Sequence, residues 1–295
     1  SLWCLRYSRP QQVPSWKGRE EPPHPAPSLV GVRTGTSTVQ EGSLKILLLD
    51  IETAPNKAYV WGLFDQNIAL NQLDASSYIL CWSAKWLGEE AITFRKVQRR
   101  TQQREMRSML LGMRALLNEA DVVIHFNGSK FDIPTLQKEM LRLRIAPPAP
   151  FKQIDLYLVA RKTFRFESNK LEYLLKVLDL GTKIKHEGFG LWVKCMDGDP
   201  EAWKTMEAYN RGDVVGLEEL YLLIRPWIEK HPNWSGFKDG PCCPKCGGTR
   251  TTRQGIAVTT TFRYQRYQCR DCGGWFRGTK TISQRNRDRM TNIVS

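Results

Sequence analysis

Two acidic side chains follow a long apolar run, and their spacing suits metal binding. Asp50 and Glu52 come directly after the apolar residues 46–49 and are separated by one residue. Side chains at every second position of a strand point to the same face, so a buried strand would present both carboxylates together. Their mutual repulsion calls for a cation, and a hard divalent metal such as Mg²⁺ takes oxygen ligands of this kind. The pair indicates a metal site, although a D-x-E triplet by itself more often marks a strand end with two solvated acids.

Four cysteines form two pairs with the spacing of metal ligands. Cys243 and Cys246 make one C-x-x-C pair, and Cys269 and Cys272 make the second. Four thiolates in this arrangement close a tetrahedral zinc site, and the glycine after each second cysteine permits the tight turn in which backbone amides point at sulfur. The pattern predicts one structural Zn²⁺ in a reducing, intracellular compartment rather than disulfide bonds. Cys242 competes with Cys243 as a ligand, but the Cys-Pro-x-Cys-Gly pattern favours Cys243.

Cationic and aromatic residues alternate around the second cysteine pair, in a segment that resembles a zinc ribbon. They suit phosphate contact combined with base stacking. They are Arg263, Tyr264, Arg266, Tyr267, Trp275 and Arg277. The whole chain carries a net charge of +14, and residues 231–295 contribute +9, from twelve Lys/Arg against three Asp/Glu. This skew predicts contact with a polyanion, and the alternative is a structural cap whose aromatic residues pack on their own sheet.

The acids need a fold that brings distant parts of the chain together, and the hydrophobic pattern predicts one. Strands are predicted at residues 45–53, 57–63, 78–86, 91–97, 121–126 and 151–156, and helices at residues 101–117, 129–143, 169–180, 200–209 and 213–225. Strands first, followed by helices alternating with strands, predict an α/β fold with a mixed sheet covered by helices. The connection from Gly188 to Pro200 has no assigned structure. The histidines His125, His186 and His231 are expected to be structural.

Three acidic motifs are spread over residues 44–230. In chain order they are Asp50-Ile51-Glu52, Asn127-Gly128-Ser129-Lys130-Phe131-Asp132 and Tyr209-Asn210-Arg211-Gly212-Asp213. Their order and their strand or helix contexts resemble the DnaQ-like (DEDD) 3′→5′ exonucleases of the RNase H-like fold. Histidine-type members carry a His five residues before the last Asp, where this chain has Ala208, so the resemblance is to the tyrosine-type (DEDDy) branch. Residues 168–171 and 180–183 resemble, more loosely, the proofreading domains of family-B DNA polymerases.

The resemblance implies a role for each motif residue in a mechanism with two Mg²⁺ or Mn²⁺ ions. Asp50 would bridge both ions. Glu52 and Asp213 would complete the site of the attacking water, and Asp132, otherwise a simple helix-start residue, would hold the ion at the leaving group. Tyr209 would orient the water, because a phenol with a pKa near ~10 is a poor general base at neutral pH. The residues expected to contact the terminal nucleotide are Thr53, Asn127 and Phe131, each of which could equally be a strand, turn or core residue. Lys170 is a further residue expected to bind the substrate.

We expect four regions along the chain. They are an extended or disordered Pro-rich segment at residues 1–43, an exonuclease domain at residues 44–230, a zinc ribbon at residues 231–280 and a basic tail at residues 281–295. The expected substrate is single-stranded DNA, with RNA left open, and the expected partner is a separate DNA polymerase or a replication or repair factor. Apolar runs fall short of the ~18 residues that cross a bilayer, so no membrane is expected, and the cytoplasm or nucleoid is the expected location.

Two other readings of the acids and the cysteines stay open. One is a nucleic-acid-binding zinc-ribbon protein without catalysis, against which the presence of all four acids and Tyr209 argues. The other is a RuvC-like or structure-specific endonuclease, since such proteins also combine an RNase H-like acid set with a zinc ribbon. In those proteins the ribbon usually interrupts the acids, whereas here it follows them. The 3′→5′ polarity is implied by the resemblance alone.

Overall fold

The computed structural model describes residues 44–97, 103–181, 184, 187–238 and 240–282. The strands of this part of the chain are β1 (Ile46–Thr53), β2 (Lys57–Ala58), β3 (Leu73–Ala75), β4 (Ile79–Trp86), β5 (Ile92–Lys96), β6 (Val122–His125), β7 (Lys152–Asp155), β8 (Thr251–Val258), β9 (Arg263–Cys269) and β10 (Trp275–Thr281). The α-helices are α1 (Gln103–Glu119), α2 (Asp132–Arg142), α3 (Leu156–Thr163), α4 (Leu171–Val177), α5 (Phe189–Asp197) and α6 (Pro200–Ile224). The predicted segment 1–43, nearly all of the basic tail and His186 lie outside the described residues.

Five strands form the central sheet, in the order β5-β4-β1-β6-β7. The pairs β1–β4 and β4–β5 are antiparallel, whereas β1–β6 and β6–β7 are parallel. Leu47, Leu48 and Leu49 of the central strand β1 are completely buried, which is why this strand is continuously apolar rather than alternating with polar residues. The mixed sheet flanked by helices confirms the predicted α/β fold.

Alternate residues of β1 face two separate hydrophobic cores. Leu47 and Leu49 pack into a core with α1, α2, α5 and the N-terminal half of α6. Ile46 and Leu48 pack into a second core with α3, α4 and the C-terminal half of α6. Both faces of the sheet are therefore covered, and the two-residue period of the strand decides which core each side chain enters.

Helix α6 is one continuous helix of 25 residues, so the prediction of two helices at 200–209 and 213–225 was wrong. Asp199 caps its start by accepting hydrogen bonds from the backbone N–H groups of Glu201 and Ala202, at 2.8 and 3.2 Å. Gly212 does not interrupt it, because buried residues along the whole helix pack against the sheet, and this packing outweighs the roughly 1 kcal/mol cost of an interior glycine. Pro226 follows in a short 3-10 turn, directly after the predicted helix 213–225.

Two further stretches differ from the predicted elements. Only Lys57 and Ala58 of the predicted strand 57–63 are paired, with β3 rather than with the central sheet, and the following residues project into solvent. The unassigned connection 188–200 contains α5, which lies between Gly188 and Gly198, both with positive φ. None of the helices in the described part of the chain has the length and apolar character needed to cross a bilayer.

The C-terminal part is a three-stranded antiparallel sheet in the order β10-β9-β8. Hydrogen bonds join it to the segment that follows α6, residues 225–237. The backbone N–H of Trp234 donates to the Pro244 carbonyl at 2.9 Å, and the Lys245 ammonium donates to the Pro226 carbonyl. The expected boundary near residue 231 stays a prediction.

The two described histidines are both hydrogen-bonded within the fold. His125 is completely buried, accepts the Gly128 backbone N–H at Nδ1 and contacts Gln153 at Nε2. His231 lies 2.7 Å from the Tyr221 hydroxyl at its Nε2. Their contacts agree with the structural role expected for them.

Candidate active site and metal sites

Three carboxylates from distant parts of the chain meet beside the central strand. Asp50 and Glu52 lie on β1, and Asp213 lies on α6. One carboxylate oxygen from each of the three lies within 4.8 Å of the others, and all three residues are partly buried. The two-residue period of β1 brings the first pair together, and the packing of α6 against the sheet adds the third.

Asp132 joins this group from the first residue of α2. Its Oδ1 accepts the backbone N–H of Ile51, the residue between Asp50 and Glu52, at 3.1 Å. The turn before the helix makes this position possible: Asn127 has a positive φ of 62°, and a Cβ on Gly128 would lie 2.5 Å from the His125 ring. The second motif therefore delivers a buried carboxylate directly onto β1.

Two side chains that the sequence analysis missed hold the carboxylates in place. The Asn210 amide donates to Asp50 Oδ2 at 2.6 Å, and the Trp192 indole N–H donates to Glu52 Oε2 at 3.0 Å. Asn210 is completely buried on α6. It lies four residues from the apolar Met206 and four from the apolar Val214, and a polar residue at this helical spacing could have indicated a buried polar contact. Trp192 lies on the unassigned helix α5, and nothing in its local pattern indicated a contact with Glu52.

Tyr209 lies between these groups. Its hydroxyl donates to the Asp213 carboxylate, and its ring packs edge-on against Trp192 with centroids 6.0 Å apart. Burial, together with the charges of Asp213, Glu52 and Asp50, raises the pKa of the Tyr209 phenol well above its ordinary value. The phenol therefore stays protonated and acts as a hydrogen-bond donor at neutral pH.

The carboxylates are electrostatically strained without a counter-charge. Burial is the largest cause of the raised pKa values, which reach about 8 for Glu52, about 7 for Asp132 and about 6 for Asp213. The pKa of Asp50 is raised well above its usual range by burial and by the charges of the other three acids. Clustered oxygen donors that resist ionisation fit a hard divalent cation, which would supply the missing positive charge.

The four cysteines predicted as ligands also meet. The sulfur atoms of Cys243, Cys246, Cys269 and Cys272 all lie within 4.8 Å of one another. The Cys243–Cys272 and Cys246–Cys269 sulfurs are 3.8 and 3.7 Å apart, as expected for a tetrahedral site with Zn–S bonds of about 2.3 Å and S···S edges of about 3.8 Å.

Backbone N–H groups point at two of these sulfurs, as the glycine after each second cysteine predicted. The N–H of Gly248 donates to the Cys246 sulfur at 3.3 Å, and the N–H of Gly274 donates to the Cys272 sulfur at 3.4 Å. Cys242 lies outside the group of four. The arrangement fits a zinc ribbon.

The residues expected to contact the terminal nucleotide lie on different elements. Thr53 ends β1, partly buried, and Asn127 lies in the turn before α2, where its backbone N–H donates to Asp155 at 2.8 Å. Phe131 directly precedes α2 and is exposed, and Lys170 is exposed at the start of α4. Burial, with a smaller contribution from the charge of Glu172 at the start of α4, raises the pKa of Asp213. Their contacts with a substrate stay predictions.

The expected ribbon residues divide between the two faces of the sheet. Strand alternation and the β9–β10 register put four of them on one face: Tyr264, Arg266, Trp275 and Arg277. There the Arg266 guanidinium lies 5.0 Å from the Trp275 ring centre and the Arg277 guanidinium 3.8 Å from that of Tyr264. Arg263 and Tyr267 lie on the opposite face, where Tyr267 stacks on Phe276 at 5.6 Å.

Comparisons with known proteins are consistent with this architecture. A family model described as the RNase_H superfamily matches residues 47–225, a range that contains all four acids and Tyr209 and ends before the ribbon. The chain is similar to the family B DNA polymerase from the hyperthermophilic archaeon Pyrobaculum calidifontis, with a TM-score of 0.47 and 13% sequence identity, covering 77% of this chain and 33% of the polymerase. No curated protein matches the chain in sequence.

The raised carboxylate pKa values predict how the metal-free stability changes with pH. Between about pH 4 and about pH 8 the folded state binds more protons than the unfolded chain, so these acids lower the free energy of unfolding as the pH rises. Asp50→Asn removes one charge and should therefore gain stability relative to the wild type with increasing pH. Urea unfolding of both proteins, followed by circular dichroism without added metal, measures this difference.

His231, whose pKa is lowered to about 4, makes the free energy of unfolding rise with pH in both proteins. Comparing the wild type with Asp50→Asn removes this shared contribution. Added Mg²⁺ should stabilise the wild type more than the variant, and more at about pH 8 than at about pH 5, because it binds the ionised carboxylates. A stability difference between the two proteins that does not change with pH, with or without Mg²⁺, contradicts this prediction.

The cysteine cluster predicts one tightly bound zinc ion per chain. Cys272→Ser should lose the ion and loosen the ribbon, because small domains of this kind are folded by their metal. Cys242→Ser is the matched control and should retain the ion. Elemental analysis of the purified proteins, together with limited proteolysis of residues 240–282, measures both effects. Full zinc content in Cys272→Ser would exclude the four-cysteine site.

Proposed function

Since the chain belongs to the RNase_H superfamily, we propose that it is a metal-dependent 3′→5′ exonuclease acting on single-stranded nucleic acid. The observation that carries this proposal is the convergence of Asp50, Glu52 and Asp213, with Asp132 hydrogen-bonded to the backbone beside them. The 3′→5′ polarity, the preference for DNA and a role beside a separate DNA polymerase or a replication or repair factor belong to the same proposal. They rest on the resemblance of the three motifs.

The four carboxylates would hold two Mg²⁺ or Mn²⁺ ions. Bound there, these ions would activate a water molecule and stabilise the departing oxygen. The chain itself contributes a fixed set of ligands, because Asp50 is held by Asn210, Glu52 by Trp192 and Asp132 by the Ile51 backbone. Ligands held in this way need little rearrangement when the substrate binds.

Tyr209 has a donor role in this proposal. Its phenol stays protonated and donates to Asp213, so it orients that carboxylate. When a substrate and a nucleophilic water are present, the same hydroxyl would turn from Asp213 and donate to the water. The pKa of the phenol is too high for it to serve as a general base near neutral pH.

The proposed activity is tested with an end-labelled single-stranded oligonucleotide and a circular strand of the same sequence, each incubated with Mg²⁺. The linear strand should shorten stepwise from its 3′ end, and the circle should stay intact. Asp50→Ala and Asp213→Ala should lower kcat/KM by at least about 100-fold, since even residues that only support metal ligands contribute 10- to 100-fold. Matched DNA and RNA strands establish the substrate class.

Glu119→Ala is the control for this experiment. It removes an exposed acid that pairs with Lys45 at the surface, 3.1 Å away, and such pairs contribute little to stability. Its activity should equal that of the wild type. Cleavage of the circle would favour a structure-specific endonuclease, and absence of cleavage of any strand would favour a binding protein without catalysis.

Trp192→Phe tests the role of the indole N–H. The substituted ring keeps the packing against Tyr209 but no longer donates to Glu52. The variant should require about 10-fold more Mg²⁺ for half-maximal activity or lose about 10-fold in kcat. Trp227→Phe, at a half-exposed tryptophan on the turn after α6, is the matched control. Wild-type kcat and Mg²⁺ dependence in Trp192→Phe would exclude this positioning role.

A further inference from the structure

The connection between β1 and β4 continues beyond the central sheet as a narrow hairpin, residues 57–75, which we call the β2–β3 hairpin. At its base the Ala54 backbone N–H donates to the Tyr78 carbonyl at 2.9 Å. Further out, β2 and β3 pair antiparallel, and the Tyr59 N–H donates to the Gln72 carbonyl at 2.9 Å. The hairpin is therefore a hydrogen-bonded extension of the β1–β4 ladder.

Large apolar side chains cover the outer part of the β2–β3 hairpin, and five of the seven are at least three-quarters exposed. Three of them are aromatic, and their exposed fractions are 75% for Tyr59, 98% for Trp61 and 85% for Phe64. The exposed aliphatic residues of the same segment are Val60, Leu63, Ile68 and Leu70. Single exposed apolar residues are ordinary, but a contiguous group of this size marks an interaction surface.

The outer part of the hairpin has a defined conformation, so the exposure does not come from a frayed segment. The Gln72 side chain accepts the Ala69 backbone N–H at 2.9 Å and donates to the Tyr59 carbonyl at 3.1 Å. The Gln66 amide donates to the Phe64 carbonyl at 2.8 Å, and residues 70–72 form a 3-10 turn. These contacts fix the backbone from which the exposed aromatic side chains extend.

The β2–β3 hairpin starts at the end of β1 that carries the acids. Trp61 is nine residues beyond Glu52, which places its Cα within about 30 Å of that of Glu52 even for a fully extended chain. The hairpin returns to the sheet through β4, where Cys81 pairs with Glu52. A nucleic-acid strand whose 3′ end occupies the candidate active site would therefore reach the hairpin with bases a few nucleotides from that end.

The charge of the β2–β3 hairpin limits what it can recognise. Residues 57–75 contain one basic residue, Lys57, and two acids, Asp65 and Asp74. This net charge of −1 provides no site for phosphates. Aromatic rings, in contrast, stack on the faces of all four bases, which is how many single-strand-binding proteins hold their ligands without sequence preference.

We propose that Tyr59, Trp61 and Phe64 form a stacking surface for the bases of a single-stranded nucleic acid whose end occupies the candidate active site. The proposal rests on the proposed exonuclease function for the identity of the strand. It separates two tasks: the hairpin contacts bases, and the basic ribbon contacts phosphates.

The first test is the binding of a fluorescein-labelled single-stranded oligonucleotide, measured by fluorescence anisotropy without added Mg²⁺. Trp61→Leu and Phe64→Leu keep an apolar side chain but remove the ring, and each should raise Kd at least about fivefold. Trp61→Phe keeps a ring and should bind nearly as tightly as the wild type. Leu63→Ala and Leu70→Ala are controls of matched exposure without rings and should not change Kd.

The second test separates contacts with bases from contacts with phosphates. An abasic strand of equal length keeps every phosphate, so the wild type should bind it more weakly than the normal strand. Trp61→Leu, which retains Tyr59 and Phe64, should discriminate between the two strands less than the wild type does. The slope of log Kd against log salt concentration should be unchanged in Trp61→Leu, since the hairpin neutralises no phosphate. It should become shallower in Arg277→Gln, which removes a cation from the ribbon.

The outcomes distinguish this proposal from the proposed function. A wild type that cleaves strands, with aromatic variants that bind and cleave as the wild type does, overturns the stacking surface and assigns the exposed rings to a protein partner. A wild type that does not cleave, with aromatic variants that lose binding, overturns the exonuclease function and leaves the β2–β3 hairpin as a strand-binding surface. Circular dichroism confirms that the variants are folded, as expected for changes at exposed positions.

Discussion

The repulsion among four partly or fully buried carboxylates is the constraint on which the rest of the structure depends. Raising the pKa of Glu52 from 4.5 to about 8 corresponds to an unfavourable energy of several kcal/mol for its charged form. The fold holds such groups together because β1 is clamped between two hydrophobic cores, and each fully buried leucine of that strand stabilises the fold by roughly 1.5–3 kcal/mol. Hydrogen bonds from Asn210, Trp192 and the Ile51 backbone then fix the orientation of the oxygens. The result is a cluster of ligands whose stability is expected to depend on a bound cation.

Much of this arrangement was predictable from local sequence, and the missing part has a physical explanation. Asp50 and Glu52 follow a continuously apolar run, so the two-residue period of a strand was sufficient to predict that the two acids lie together. The C-x-x-C spacing was likewise sufficient to predict that the four cysteines meet. The break expected between the predicted helices 200–209 and 213–225 was wrong because tertiary packing along α6 outweighs a local helix preference. Trp192 was missed because its contact with Glu52 joins residues 140 positions apart, and no periodic pattern encodes such a contact.

Helix α6 links the two candidate metal sites. It begins at the Asp199 cap, carries Tyr209, Asn210 and Asp213 in its middle, and ends where Pro226 receives the hydrogen bond from Lys245 of the ribbon. At 1.5 Å per residue its 25 residues span about 37 Å. The ribbon therefore contacts the turn that directly follows the helix supplying the third carboxylate.

The alternation of β1 between two cores restricts how the gene for such a protein can change. Inserting or deleting one codon within residues 46–52 would exchange the side chains that enter each core and turn both acids away from Asp213. Codons for the exposed residues 59–70 face no such restriction, because adding or removing residues there leaves the β1–β4 register intact. Differences in length among homologous genes should therefore accumulate in the hairpin outside the aromatic positions 59, 61 and 64, while the opening strand keeps a constant number of residues.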